Sequence, residues 1–202
     1  MNCTELSLEN LKRVCIEAAK RIDNDRKIDL VIYVAKAGFP IAVYMNEVFE
    51  TQILGIDAQR NGNWLKQIAG PIVKHLPSFV RNFLISMELK SKVHKQSSER
   101  NVHFHESIQK RKNCSYDNIL IVDDSVDTGH TMKLCYQEVE SQFPTSNVYS
   151  YALNVWDQSY DIFVTDYWSY VNTIIKSPMS KDSKEYDEFC RMYDEGTQGG
   201  YI

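Results

Sequence analysis

The sequence predicts an α/β fold with a central, mostly parallel sheet that is flanked by helices. Two apolar runs carry this prediction: residues 30–35 and 119–122 read almost continuously apolar, as is typical of strands buried on both faces of a parallel sheet. Each run is followed by a short loop and a helical pattern, which indicates repeated β-α units. The 202 residues suit one domain, and we expect a single domain over 1–202 with an insertion at about 57–113.

The other elements follow in chain order. Ser7 is a candidate N-cap for a first helix, because apolar residues recur at helical spacing from Leu8 to Ile22. Pro40 suits the first position of a second helix, which we expect to end near Val48. Further strands are predicted over 51–56, 148–153, 162–164 and 171–175, and further helices over 77–92, 131–139 and 184–193.

Composition and charge exclude several classes of protein. With 43% hydrophobic and 25% charged residues, and only 8 Gly and 5 Pro, the chain is neither collagen-like nor disordered. A formal net charge of −4 gives no general attraction to nucleic acid or to an anionic membrane surface. No stretch approaches the ~18 consecutive apolar residues of a membrane helix. We therefore expect neither nucleic acid nor a membrane as a partner.

The cysteines and histidines predict no metal centre of their own. The five cysteines are odd in number and form no C-x-x-C pair, which argues against a zinc cluster or a disulfide framework and favours a cytoplasmic location. His94, His103 and His105 lie in or beside the polar segment 95–112 without a helical i, i+4 pair, so a metal site there is the less favoured interpretation. We expect this segment to be a loop or a β-ribbon.

The segment that follows the second apolar run carries the chemistry. In a parallel sheet, ligands bind at the carboxyl ends of strands, where the next helix presents unpaired N–H groups and the positive end of its dipole. Gly129 lets the backbone approach a ligand closely. The hydroxyl groups of Ser125, Thr128 and Thr131 add donors. This arrangement predicts a phosphate site.

Two carboxylates, Asp123 and Asp124, precede the phosphate loop and would repel a phosphate if it were the only ligand. They can instead hold a vicinal diol, directly or through Mg²⁺, which places a ribose beside its own 5′-phosphate. The simpler alternative, that these residues only cap a helix, is disfavoured because the strand, the tandem acid and Asp-Thr-Gly occur together. A glycosyltransferase of the Asp-x-Asp type is weaker, because that spacing is missing.

The run from Val122 to Thr131, VDDSVDTGHT, resembles the motif with which type I phosphoribosyltransferases bind 5-phosphoribosyl 1-diphosphate (PRPP). The resemblance implies that Asp123 and Asp124 hold the ribose hydroxyls and Mg²⁺. In the 6-oxopurine (hypoxanthine or xanthine-guanine) branch, it also implies that Asp127 is the base near the purine N7. The implied PRPP- and phosphate-binding residues are Ser125, Val126, Thr128, Gly129, His130 and Thr131.

The segment Lys36-Ala37-Gly38 resembles the pyrophosphate loop of the same family, although a routine strand-to-helix turn explains it equally well. Backbone N–H groups there would meet the diphosphate, and Lys36 would add positive charge. Ala37 departs from the glycine that is common in the family. The resemblance also implies a cis peptide bond between Ala35 and Lys36.

The eighty-four residues from Phe39 to Val122 separate the two motifs and indicate an inserted helical segment. The family fold further implies a small C-terminal hood, here at about 154–180, which reads the base. The candidate base-binding residues are Asn154, Trp168, Tyr170 and Ile174. Asn154 and Trp156 stand where relatives have a lysine that contacts the purine's exocyclic oxygen. An aromatic cluster is otherwise more often part of a core than a platform for a base.

The resulting expectation is a phosphoribosyltransferase that moves the 5-phosphoribosyl group of PRPP to a purine-like base or another nitrogenous acceptor, with release of pyrophosphate. Mg²⁺ would bridge pyrophosphate and ribose oxygens, and the segment 95–112 would act as a lid. The alternative is a non-catalytic regulatory protein that binds PRPP or a nucleotide. An apolar stripe over 79–87 makes a homodimer plausible.

Overall fold

The computed structural model describes residues 2–60, 100–104 and 115–198. Over these residues the strands are β1 (Asn2–Glu5), β2 (Leu30–Val34), β3 (Gln52–Arg60), β4 (Arg100–Phe104), β5 (Asn118–Val126), β6 (Asn147–Val155), β7 (Tyr167–Val171) and β8 (Thr173–Lys176). The helices are α1 (Leu8–Asp25), α2 (Ala35–Phe49), α3 (His130–Gln142) and α4 (Tyr186–Gln198). Contacts between Cα atoms divide the chain into one unit of 1–58 with 102–202 and another of 59–101.

The central sheet has the strand order β4-β3-β2-β5-β6-β7. The pairs β2–β3, β2–β5, β5–β6 and β6–β7 are all parallel. Strand β1 pairs with β8 in a separate two-stranded sheet, also in parallel. The predicted α/β class with a parallel sheet is therefore confirmed. Because β5 and β6 end at the same edge, the loops that follow them meet there.

The apolar runs are continuous because helices cover both faces of the sheet. From β2, Val31 and Tyr33 pack into a core cluster with residues of α1 and α2. The alternate residues Leu30, Ile32 and Val34 pack into a second cluster with residues of α3. Full burial of such a side chain contributes about 1.5–3 kcal/mol. This explains why the sequence shows no polar alternation in these strands.

Helix α1 begins where its capping signal predicts. The Ser7 hydroxyl accepts a hydrogen bond from the Asn10 N–H at 3.2 Å. A second cap comes from far along the chain, because the Glu185 carboxylate accepts from the Leu8 N–H at 2.9 Å. The segment before α4 is thereby attached to the start of α1.

None of the helices in the described part of the chain combines the length and the apolar character of a membrane-spanning helix.

Helix α2 begins at Ala35 and not at Pro40, so the predicted start of this helix is wrong. Pro40 lies inside α2, where it cannot bond the carbonyl of Lys36. Burial of Phe39 and Ile41 on either side holds the helix together despite the missing bond. The described residues contain no cis peptide bond, so the cis bond expected between Ala35 and Lys36 is also wrong. The chain turns from β2 into α2 through a positive φ of 50° at Ala35 instead.

The C-terminal strands also differ from the prediction. Residues 162–164 form no strand, and the single strand expected over 171–175 is divided at Asn172, whose φ is 49°. This left-handed residue directs β7 and β8 into different sheets. Strand β1 has no signal in its four residues and depends on pairing with β8. The predicted helix over 77–92 lies outside the described residues. Within the segment 95–112, the described residues are 100–104, which form β4.

Candidate active site

The two acids lie within β5, because the strand continues to Val126. Asp123 pairs with Ala152 of β6, and two residues later Ser125 pairs with Asn154. The Asp123 side chain is 7% exposed and accepts a hydrogen bond from the Asp124 backbone N–H at 2.8 Å. Asp124 is partly buried. The sheet therefore fixes both carboxyl groups at its carboxyl edge.

Burial and mutual repulsion set the charge of this pair. Burial raises the pKa of Asp123 well above its ordinary value, and the neighbouring charge of Asp124 raises it further. Burial also raises the pKa of Asp124, although a hydrogen bond with the Asp123 side chain lowers it. Two carboxylates this close repel each other when both are ionised. A divalent cation or the hydroxyl groups of a sugar would relieve that strain.

The turn after β5 has the geometry of an anion site. Gly129, with φ 79°, is the N-cap residue of α3 and has no side chain that could cap the first amides of the helix. A Cβ atom at this position would lie 3.0 Å from the Ser159 carbonyl oxygen and 3.1 Å from the Phe163 nitrogen. Only glycine therefore fits both the backbone conformation and the space.

Side chains of the turn bond to one another. The Ser125 hydroxyl donates to Asp127 at 2.5 Å. Thr128 Oγ1 and His130 Nδ1 lie 3.2 Å apart. Val126 is buried in the core cluster on the α3 side and anchors the turn, and Thr131 lies in the first turn of α3. The structure thus brings the predicted residues from Asp123 to Thr131 into one continuous strand, turn and helix start.

The predicted pyrophosphate loop forms the first turn of α2. A Cβ atom at Gly38 would lie 2.9 Å from the Val122 carbonyl oxygen, so this turn touches β5 directly before the acidic pair. The backbone amides of Lys36 and Ala37 belong to the turn whose N–H groups have no intrahelical acceptor. A second set of amide donors therefore starts beside the acids.

The side chain of Lys36 takes a different direction. Its ammonium group lies 3.6 Å from Cys190 Sγ, 4.0 Å from Asp194 and 4.8 Å from the centroid of the Tyr193 ring, all on α4. The structure therefore places the Lys36 side chain on the C-terminal helix. Its predicted contact with pyrophosphate stays a prediction.

A cavity of about 230 Å³ opens beside the acidic pair. Its lining residues are Asp124, Ser125, Leu153, Asn154, Trp156, Thr173, Ile174, Ile175 and Ser177. Two of the four predicted base-binding residues, Asn154 and Ile174, are among them. Trp168 is 39% exposed and its carbonyl accepts a hydrogen bond from Arg21, whereas Tyr170 packs against the core on the α1 side. Neither of these aromatic residues lines the cavity.

Of the residues from 173 to 177 that line this cavity, sequence reasoning predicted Ile174 and missed Thr173, Ile175 and Ser177. Thr173, Ile175 and Ser177 reach it because the left-handed Asn172 directs the chain past the end of β6, and a lone asparagine is a weak signal for such a crossing. Two larger cavities, of about 720 and 480 Å³, lie elsewhere and contain no predicted site residue in their lining. Chemistry and not size therefore identifies the site.

Comparison with known proteins agrees with this geometry. Residues 6–153 match the family model of the phosphoribosyl transferase domain. The chain belongs to this family. A comparison with curated proteins gives no match. The predicted family is thereby confirmed, and with it the class of enzyme, a phosphoribosyltransferase.

Solved structures share the phosphoribosyltransferase fold at low identity. The purine phosphoribosyltransferase from Pyrococcus horikoshii is 17% identical, with a TM-score of 0.57 over 91% of this chain and 97% of that chain. The Helicobacter pylori xanthine-guanine-hypoxanthine phosphoribosyltransferase is 13% identical, with a TM-score of 0.59 over 93% and 99%. A Neisseria gonorrhoeae protein with bound ppGpp is 16% identical, with a TM-score of 0.58 over 97% and 98%.

Proposed function

We propose that this phosphoribosyltransferase moves the 5-phosphoribosyl group of PRPP to a ring nitrogen of a purine-like base at the carboxyl edge of β5 and β6. One observation carries the proposal: Asp123, which is buried, and Asp124, which is partly buried, directly precede a turn whose N-cap residue, Gly129, gives the start of α3 no side-chain cap. A phosphate suits the amides, and a ribose diol suits the acids. The two adjacent sites match a ribose that carries a 5′-phosphate.

The parts of the substrate follow from this placement. The 5′-phosphate would lie at the turn from Thr128 to Thr131, and the diphosphate would lie towards the first-turn amides of α2. The base would enter the cavity beside Asp124, where four apolar lining residues suit a flat ring: Leu153, Trp156, Ile174 and Ile175. Asp127 already accepts a hydrogen bond from Ser125, and its carboxylate would take the proton that the attacking nitrogen loses.

Mg²⁺ is the cofactor that we propose for Asp123 and Asp124. The donor set fits, because carboxylate oxygens are the ligands that Mg²⁺ prefers and because burial disfavours two uncompensated charges. The described residues contain no cluster of three metal-ligating side chains, so substrate and water oxygens would complete the coordination. When bound, the ion would neutralise charge on the leaving diphosphate.

Catalysis by this chain is then mainly positioning. The acids orient the ribose and favour positive charge that develops at C1′, while the amides of two helix starts hold the two phosphate ends. Trp156 and Ile174 border the cavity and would exclude water from the base side. The segment 95–112 remains our proposal for a lid.

The test is pyrophosphate release from PRPP and Mg²⁺ with a panel of purine bases. Asp124→Asn should lower kcat/KM by about 100-fold or more, because the amide cannot supply the negative charge. Asp117→Asn is the matched control, since Asp117 precedes the same strand at its opposite end. Equal loss in both variants, or no loss in Asp124→Asn, would contradict the role of the pair.

The alternative function is a non-catalytic protein that binds PRPP or a nucleotide. The position of the Lys36 ammonium group favours this alternative. The group contacts Cys190 and Asp194 on α4, so its positive charge does not face a diphosphate at the start of α2. Calorimetric binding of PRPP without turnover on any base would support this alternative over transfer.

Assembly and location are also proposals. We propose a homodimer through the stripe over 79–87, which light scattering on the intact protein would test. We propose a cytoplasmic location from the cysteine pattern, and the four cysteines in the described part of the chain are free thiols. Expected partners are small molecules, with no nucleic acid and no membrane.

A further inference from the structure

The C-terminal helix α4 packs against the first turns of α2, where the predicted pyrophosphate loop lies. Phe39 of α2 is buried, and its ring meets the Tyr193 ring edge to face, with 5.2 Å between the two centroids. Gly196 lies so close to the same ring that a Cβ atom there would be 2.3 Å from Phe39 Cζ. Phe189 of α4 is 2% exposed. These three residues of α4 recur at i, i+4 and i+7, so one face of the helix is buried.

The same helix holds the ammonium group of Lys36. This group donates a hydrogen bond to Cys190 Sγ at 3.6 Å and lies 4.0 Å from Asp194 Oδ1. It also lies 4.8 Å from the centroid of the Tyr193 ring and 5.5 Å from that of the Phe189 ring, which are cation–π distances. Four residues of α4 therefore contact one positive charge that belongs to the first turn of α2.

These contacts can be exchanged for others. The Lys36 side chain is 41% exposed and that of Asp194 is 62% exposed, and an exposed ion pair contributes little stability because water screens it. A diphosphate carries several negative charges and would compete for the ammonium group, but Lys36 would first have to leave α4. The helix also carries four acidic residues and one arginine, so its net negative charge repels an anion near this turn.

We propose that α4 makes an autoinhibitory contact, which withholds the Lys36 ammonium group from the diphosphate of PRPP and so lowers the affinity of the protein for this substrate. This inference rests on the proposed function and adds a regulation to it. A change that loosens the hold of α4 on Lys36 frees the charge and tightens PRPP binding. The gain in affinity must then depend on Lys36 itself.

The experiment measures the Kd of PRPP with Mg²⁺ for the full chain by calorimetry, so that it does not depend on turnover. Asp194→Asn removes the carboxylate that pairs with Lys36, and PRPP should bind about threefold more tightly. Glu195→Gln is the matched control, because it removes the same charge from the next residue of α4, whereas Asp194 makes the ion pair. Its Kd should stay within about 1.5-fold of the wild-type value.

Gly196→Ala loosens the same contact by a different route. The new Cβ atom would overlap the buried Phe39 ring, so the last turns of α4 must move away from α2. This movement weakens the cation–π contacts of Lys36 together with the ion pair, and PRPP should bind about tenfold more tightly. If Gly196→Ala does not fold, Asp194→Asn decides, because its side chain is largely exposed and its replacement leaves the packing of α4 intact.

Repeating both changes in a Lys36→Met background separates a freed lysine from a general loss of negative charge. Without Lys36, both variants should bind PRPP within about 1.5-fold of Lys36→Met alone, because the two changes act through one residue. A gain in affinity that persists without Lys36 would overturn the inference. Unchanged or weaker binding of PRPP by Asp194→Asn, or by folded Gly196→Ala, would also overturn it.

Pyrophosphate release from PRPP, measured in parallel with purine bases, separates this inference from the proposed function. Equal PRPP affinity in all variants, together with pyrophosphate release, contradicts the autoinhibitory contact and supports transfer. Tighter binding that depends on Lys36, without pyrophosphate release on any base, supports the contact and contradicts transfer. Failure of PRPP to bind the wild type and every variant contradicts both.

Discussion

Asp123 Oδ1 accepts a hydrogen bond from the backbone N–H of Asp124 at 2.8 Å, so the two acids of the site share one stretch of strand and one buried environment. The protein thus keeps two carboxyl groups where neither can ionise without cost. Without a compensating charge, such a pair destabilises the fold, and the ligand that we propose for it would supply the compensation. Stability and function should therefore oppose each other at Asp123.

Replacement Asp123→Asn should stabilise the ligand-free protein while weakening its use of PRPP. The amide keeps an acceptor for the Asp124 N–H and removes a buried charge. We expect the Tm at neutral pH to rise by about 2–4 °C, equivalent to ~1 kcal/mol. Thermal unfolding with Asp117→Asn as control measures this. A lower Tm for Asp123→Asn would contradict the conclusion that burial and repulsion from Asp124 make the Asp123 carboxylate destabilising.

The raised pKa of Asp123 predicts the sign of a pH dependence. Above the unfolded pKa of about 3.9 and up to the raised folded pKa, the native state binds more protons than the unfolded state, so the free energy of unfolding falls as pH rises. The contribution is fully present below the unfolded pKa and is lost as pH rises through the folded pKa. Unfolding from pH 4 to 8 should show a steeper decline in the wild type than in Asp123→Asn, and identical slopes would count against it.

Gly129→Ala should damage both the fold and the phosphate site. The new Cβ atom would meet the Ser159 carbonyl oxygen at 3.0 Å at a residue whose φ is 79°. We expect a loss of about 1–3 kcal/mol in the free energy of unfolding, measured by urea denaturation, and weaker binding of PRPP. An unchanged urea midpoint would contradict this prediction, because it would show that the turn can move the new Cβ atom away from the Ser159 carbonyl oxygen at no cost in stability.

Lys36→Met tests where the Lys36 side chain acts. Its ammonium group contacts Tyr193 and Asp194 on α4 and the side chain is 41% exposed, so we expect a loss of no more than about 1 kcal/mol of stability. The KM for PRPP should rise less than about threefold, because α4 and not diphosphate holds the charge. A tenfold rise in KM would instead support the contact with pyrophosphate that the sequence predicts.

The parts of the fold that depend on a local residue pattern could be predicted from the sequence. Buried strands on a parallel sheet need continuous apolar residues, so residues 30–34 and 119–122 are recognisable, and the Ser7 cap is a local hydrogen bond. The turn from Asp127 to Gly129 is equally local, because its residues are consecutive in the chain and Gly129 supplies the left-handed φ of 79°. These are the elements that the prediction locates.

The rest depends on contacts that are distant in sequence. Strand β1 forms because β8 supplies its partner, 171 residues away at the pairing of Asn2 with Thr173. Helix α2 continues through Pro40, which removes one helix hydrogen bond, and the neighbouring Phe39 is buried against Tyr193, far along the chain. The cavity wall of Thr173 and Ile175 exists because Asn172 is left-handed. No local residue pattern predicts strand β1, the start of α2 or this cavity wall.

A crystal structure of the protein with PRPP and Mg²⁺ tests the central claim most directly. The account predicts ribose hydroxyl oxygens at about 2.6–3.2 Å from the Asp123 or Asp124 carboxyl groups, or joined to them through one ion, and the 5′-phosphate on the amides from Thr128 to Thr131. Electron density for PRPP at another edge of the sheet, with both acids out of reach of the sugar, would contradict it.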